Sequence, residues 1–194
     1  MPKLILVNNE KEEKDYLQHI HDNFDDSIKF STFKKLDIKK IEKEWGKLDF
    51  FNIVEKIAKF KWKHKKYFAF ISSNTKFSFA SPFPEFENKV LIDFGCEKKL
   101  RIICHELLHQ YLNQIIYYEL KDEKFENEII HELFVTHMLF DTELNELFKD
   151  NYTSKKDLFD AGHKKAFKLY GKSKKLWNSK KDIKDYLTKI IKIL

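Results

Sequence analysis

Ile102-Ile103-Cys104-His105-Glu106-Leu107-Leu108-His109-Gln110-Tyr111-Leu112 carries one acidic residue and neither lysine nor arginine, in a chain where charged residues make up 35%. Such a run reads as a buried helix. Residues four apart on a helix lie one turn apart on the same face. His105 and His109 therefore present two imidazoles to one point, which suits a zinc ion held at ~2.0–2.1 Å per bond. Glu106 follows the first histidine, where its carboxylate reaches a water beside the metal rather than the metal itself. That is the place for a general base, which must lie within hydrogen-bond reach of the proton it takes. Histidine and glutamate among Ile and Leu must be satisfied by something, and a metal ion does so most simply. The alternative is an amphipathic core helix with two hydrogen-bonded histidines.

A hydrolytic zinc site takes three protein ligands and keeps one position open. The third is expected from the next helix, which runs Glu126-Asn127-Glu128-Ile129-Ile130-His131-Glu132-Leu133-Phe134-Val135-Thr136-His137-Met138-Leu139-Phe140. Two carboxylates compete. A first helix that extends to about Glu119 and turns tightly brings Glu132 level with His109; an earlier end and a longer loop bring Glu128. Glu132 sits among apolar residues, whereas Glu128 and Glu126 read as surface charge. His131 remains a further candidate ligand. His131 and His137 are otherwise expected at the site edge or facing solvent. Thr136, one turn beyond Glu132, is placed to hydrogen-bond a ligand.

Outward from these helices, the 194 residues fit one domain, and 42% hydrophobic residues with 19 Phe are enough for its core. The net charge is +6. Arg101 is the only arginine, and the lysines are interspersed with Glu and Asp. Arginine is the usual reader of phosphates and bases, so a nucleic-acid partner is not expected. No apolar run approaches the ~18 residues of a membrane span, so no membrane association is expected. The apolar stretch Leu4–Val7 is too short for a signal peptide, and a cytoplasmic location is the default. Cys96 and Cys104 form no disulfide or metal framework and read as reduced, buried thiols.

The N-terminal half mixes strands and helices. Strands are expected at Leu4–Val7, Tyr67–Ile71, Phe77–Phe79 and Val90–Phe94, and helices at Lys11–Asp22 and Asp37–Lys61, the latter interrupted at Gly46. Pro82 and Pro84 force a loop. From Glu97 the chain reads as helical: Glu97–Glu119, Lys124–Asp141, a short Thr142–Lys149, Leu158–Leu169 and Ile183–Leu194. The expectation is an α+β fold in one domain, 1–194. Its half 1–96 holds a small mixed sheet, and its half 97–194 is all-helical and carries the metal site.

His105-Glu106-Leu107-Leu108-His109 matches HExxH, the zinc-binding signature of many metallopeptidases. With a glutamate on the following helix, the chain resembles the gluzincin branch. More closely, Glu132-Leu133-Phe134-Val135-Thr136-His137-Met138-Leu139-Phe140-Asp141-Thr142-Glu143-Leu144 resembles the ligand helix of small microbial HELLH proteins that look like minimal gluzincins. The likeness covers roughly Phe94 to Phe167 at the level of motifs. In such proteins a glutamate opens an apolar helix with Thr or Ser nearby, which supports Glu132. Asn127-Glu128 fits the start of the longer thermolysin-type pattern, but His131 and Glu132 replace its Ser and Asp. The resemblance implies a zincin-like fold in which an edge strand borders the active-site helix. Val90–Phe94 is the strand expected there, with substrate added along it. It also implies a downstream His or Tyr that steadies the oxyanion, and His163 in Ala161-Gly162-His163-Lys164 is the candidate. Tyr111, Tyr117 and Tyr118 read as core or rim aromatics.

The function so implied is peptide-bond hydrolysis of a peptide or protein substrate, with Zn²⁺ on His105, His109 and Glu132, Glu106 as general base and His163 assisting. Two other readings stay open: a zinc-bound scaffold without catalysis, and a regulatory protease of one partner.

Overall fold

Lys3–Val7 (β1), Lys66–Ser72 (β2), Phe79–Ala80 (β3) and Lys89–Asp93 (β4) form one four-stranded sheet in the order β1-β2-β4-β3. The computed structural model describes residues 1–24, 33–73, 77–95, 99–148 and 164–194. β1 and β4 both pair with β2 in parallel, with Leu4 opposite Tyr67 and Ala69 opposite Val90. Parallel strands covered on both faces lose the in–out alternation of a half-exposed sheet. Ala69, Phe70 and Ile71 in β2, and Val90, Leu91 and Ile92 in β4, are accordingly all buried. β3 is the antiparallel strand, with Phe79 opposite Leu91 and Ala80 opposite Val90.

This corrects the expectation for Val90–Phe94. β4 is internal, held by β2 on one side and β3 on the other, and the sheet edges are β1 and the short β3. The cause is Phe79–Ala80, whose pairing with β4 covers the side that would otherwise be open; the strand expected at Phe77–Phe79 starts at Phe79.

The α-helices described are Glu10–Asn23 (α1), Lys39–Trp45 (α2), Phe50–Ala58 (α3), Lys99–Gln114 (α4), Glu128–Phe140 (α5), Lys164–Asn178 (α6) and Ile183–Ile190 (α7). Their starts follow local chemistry. Asn9, Asn127 and Asp182 cap α1, α5 and α7 by accepting backbone N–H groups left over in the first turn. α2 ends at Gly46 and α3 at Lys59, a left-handed residue with φ 62° whose N–H bonds to the Glu55 carbonyl. The interruption expected at Gly46 is therefore present, but helix does not continue to Lys61.

The chain divides into two compact units. The first comprises residues 1–48 and 64–110, the second residues 49–63 and 111–194, and the division falls inside α4. In the first unit, Tyr16, Leu17 and Ile20 of α1 pack on Phe70 and Leu91 of the sheet, with Val7, Phe68, Phe79 and Phe86 around them. In the second unit, α5 is buried on every side from Glu132 to Phe140, and Phe134, Trp177, Tyr186 and Leu187 belong to its core. Together these elements make a mixed α+β protein. Among the described residues, no helix is long and apolar enough to cross a membrane.

Candidate metal centre

α4 is buried almost all the way round. Between Arg101 and Ile116 only Ile102, His105 and His109 escape full burial. These three lie three and four residues apart, on one stripe of the helix, so the helix opens to its surroundings along the line of its two imidazoles. Nε2 of His105 and Nε2 of His109 are 3.0 Å apart, with their ring planes at 71°. Both nitrogens thus point at a common position, as the four-residue spacing predicts.

Glu132 joins the two histidines in a group that could hold a metal ion. It is 4% exposed, and one ligand atom from each of His105, His109 and Glu132 lies within 4.8 Å of the others. Glu128 is exposed in the first turn of α5, outside this group. α5 begins at Glu128 rather than Lys124 because Asn127 caps it, with Oδ1 accepting the Ile129 N–H at 2.9 Å. Glu132 is then one turn in, at the start of the buried stretch. Two neutral imidazoles and a carboxylate are borderline and hard donors, respectively, and a set of this kind can hold a divalent metal ion.

Glu106 is 8% exposed and feels the polar cluster beside it. The Tyr16 phenol is pushed well above its ordinary range, chiefly by burial. A hydrogen bond from the Ser81 backbone offsets part of the rise, and the charge of Glu106 adds to it. Tyr16 Oη donates to the Lys89 carbonyl at 3.2 Å and accepts the Ser81 N–H at 3.3 Å.

Gln110, next to His109, is a residue the sequence reading passed over. It is fully buried, and its Nε2 reaches the carbonyls of Ser81 at 2.9 Å, Lys89 at 2.9 Å and Phe86 at 3.3 Å. The Ser81–Lys89 segment between β3 and β4 is thus tied to α4 one residue beyond the second imidazole. The only signal in the sequence was an amide inside an apolar run, which must find partners when buried.

Other expectations fare differently. Thr136 is fully buried, and among the described residues its hydroxyl makes no hydrogen bond, so the bond expected to a ligand is not seen there. His137 neither edges the site nor faces solvent. It is fully buried, with Nδ1 2.8 Å from Asp141 Oδ2 and Nε2 2.7 Å from Ser173 Oγ. Asp141 also accepts from Lys174 at 2.8 Å and from Tyr170 at 2.5 Å, and Ser173 Oγ meets Tyr186 Oη at 2.8 Å. Asp, His and Ser in that order resemble a hydrolase triad. Here, however, Ser173 is sealed from solvent, and the His137 ring is sandwiched by Tyr170 and Trp177, each about 5.0 Å away between ring centroids. A nucleophile that no substrate reaches is structural: the cluster joins α5 to α6 and α7. Tyr111 is a core residue, as expected, while Tyr118 is exposed. Cys104 is buried, and burial pushes its thiol up. His163 and Cys96 lie outside the described residues.

The sequence matches no protein-family model, no curated protein and no solved structure.

Proposed function

We propose that the chain is a zinc-dependent peptidase of the gluzincin type, with a zincin-like fold and with His105, His109 and Glu132 as the metal ligands. The observation that carries this reading is the convergence of two imidazole nitrogens and one buried carboxylate on the only partly open stripe of α4. His₂Glu is a donor set of hydrolytic zinc sites, and structural sites more often use Cys. His105 and His109 would hold the ion through their Nε2 atoms, which lie 3.0 Å apart, and Glu132 through its carboxylate.

Zinc, when bound, supplies a Lewis acid and lowers the pKa of a coordinated water to about 7. The remaining chemistry belongs to the chain. Glu106, one residue from His105 and nearly buried, accepts the proton of the attacking water. It then passes that proton to the amine that leaves as the peptide bond breaks. Its low exposure suits a base that must hold one proton between two steps without losing it to solvent. His163 is proposed to donate a hydrogen bond to the oxyanion. A peptide or protein is the substrate.

The test is cleavage of a complex peptide mixture by zinc-loaded protein, with new termini read by mass spectrometry. Wild type is expected to produce cuts that vanish with a chelator and in Glu106→Gln at equal zinc content. Cuts that persist in Glu106→Gln would overturn the mechanism. Zinc binding without any cleavage would leave a scaffold.

A further inference from the structure

The Thr136 side chain is sealed inside α5, yet its Oγ1 has no hydrogen-bond partner among the described residues. Buried hydroxyls normally find one, and an exception calls for an explanation. On a helix the ready acceptor for a threonine is the carbonyl four residues back. Thr142, just past the end of α5, takes it: its Oγ1 donates to the Met138 carbonyl at 2.5 Å. The equivalent acceptor for Thr136 is the Glu132 carbonyl, and Thr136 leaves it unused.

Packing gives no reason for a hydroxyl here. Leu133 and Leu139, one turn to either side on the same helix, are fully buried and apolar. Valine has nearly the shape of threonine and brings no polar atom to desolvate. For stability alone it is the better residue at this position.

What sets Thr136 apart is its place beside the metal group. It follows Glu132 by four residues, one turn along the same face of α5. Helical side chains lean toward the N-terminus, so that of Thr136 leans over the turn that carries Glu132. Glu132 is 4% exposed and belongs with His105 and His109 to the group that could hold a metal ion. A carboxylate that gives one oxygen to an ion keeps lone pairs for a donor, and a neighbour that fills them fixes its orientation. A threonine hydroxyl supplies one O–H for that purpose and adds no charge.

We infer that Thr136 is a positioning residue for the metal centre. With an ion on His105, His109 and Glu132, its hydroxyl donates to the Glu132 carboxylate and holds it in the ligating orientation. Without the ion, the same hydroxyl lowers the stability of the fold. The role rests on the metal centre proposed above but not on peptide cleavage, since an ion held without catalysis would use it equally.

The experiment compares full-length wild type, Thr136→Val and Thr136→Ser in two measurements. One is urea unfolding with zinc removed by a chelator; the other is zinc affinity by competition with a chromophoric chelator. Thr136→Val is expected to unfold at the same urea concentration as wild type or a higher one, and to bind zinc about tenfold more weakly or worse. Thr136→Ser keeps the hydroxyl and loses a buried methyl. It is expected to unfold at lower urea while holding zinc within about threefold of wild type. A packing role alone would instead make zinc affinity follow stability. Wild-type zinc affinity in Thr136→Val would overturn the role, as would a lower metal-free midpoint in that variant or equal zinc loss in both. Failure of wild type itself to bind zinc would overturn the metal centre and the role with it, so the wild-type titration tells the two failures apart.

Discussion

Nε2 of His105 stands 3.0 Å from Nε2 of His109, across one turn of a helix whose other faces are buried. Both rings are half-buried rather than packed into the core, so each can be removed without opening a large cavity. His105→Ala and His109→Ala should each keep the native circular dichroism while losing at least about a hundredfold in zinc affinity. Loss of the folded signal in both variants would instead assign the pair to the core.

Glu128 and Glu132 are one turn apart on α5, yet only Glu132 is buried. Glu128→Ala should leave zinc affinity within about threefold of wild type, since an exposed charge in high dielectric contributes little. A competitive zinc titration with a chromophoric chelator reads this directly. A large loss in Glu128→Ala would move the third ligand one turn toward the helix start.

The hydrogen bonds of His137 to Asp141 and Ser173 are buried. Removing one partner leaves the others unsatisfied in low dielectric, which costs about 1–3 kcal/mol per group. Ser173→Ala should therefore lower stability by about 1–3 kcal/mol in urea unfolding, and His137→Ala by more, because a ring between Tyr170 and Trp177 is lost as well. If the proposed peptidase activity is found in wild type, it should persist in Ser173→Ala at a temperature where the variant is folded. Its abolition there, with zinc retained, would mean that the cluster takes part in chemistry.

His19 offers a pH test away from the metal group. Its ring stacks on Phe86, with centroids 3.7 Å apart, and its Nε2 meets Ser81 Oγ at 3.0 Å. Burial holds its pKa below the ordinary value near 6.5; the Glu85 charge opposes this, Lys89 adds to it and Asp22 opposes it. The unfolded chain thus takes up a proton at higher pH than the folded one. The contribution of His19 to stability is complete above about pH 6.5 and declines as pH falls through that value. Melting temperatures at about pH 7.5 and about pH 5 should differ less in His19→Gln than in wild type. An unchanged difference would show that His19 contributes nothing to it.

Much of the architecture is legible in the sequence for identifiable reasons. The apolar runs of β1, β2 and β4 and the helical spacing of α1 to α3 appear because burial imposes a period on the chain. The HELLH helix is legible because polar residues in an apolar run need a partner. What escaped was long-range pairing. A short strand is legible near Phe79, but no local pattern shows that it pairs with β4, and the edge position expected for β4 came from the family resemblance. The three carbonyls gathered by Gln110 belong to residues 21 to 29 positions away, and no local pattern announces them. His137 looked like one more polar residue on α5 because Ser173, its partner, is 36 residues downstream.

The central claim is that His105, His109 and Glu132 hold one metal ion together. The most direct measurement is the zinc content of wild type and Glu132→Ala, purified side by side and dialysed against the same trace-zinc buffer, by elemental analysis. The account predicts one zinc per chain in wild type and a small fraction of that in Glu132→Ala, with both proteins folded. Equal zinc in the two would remove Glu132 from the site, and no zinc in folded wild type after titration would leave α4 a core helix with two hydrogen-bonded histidines.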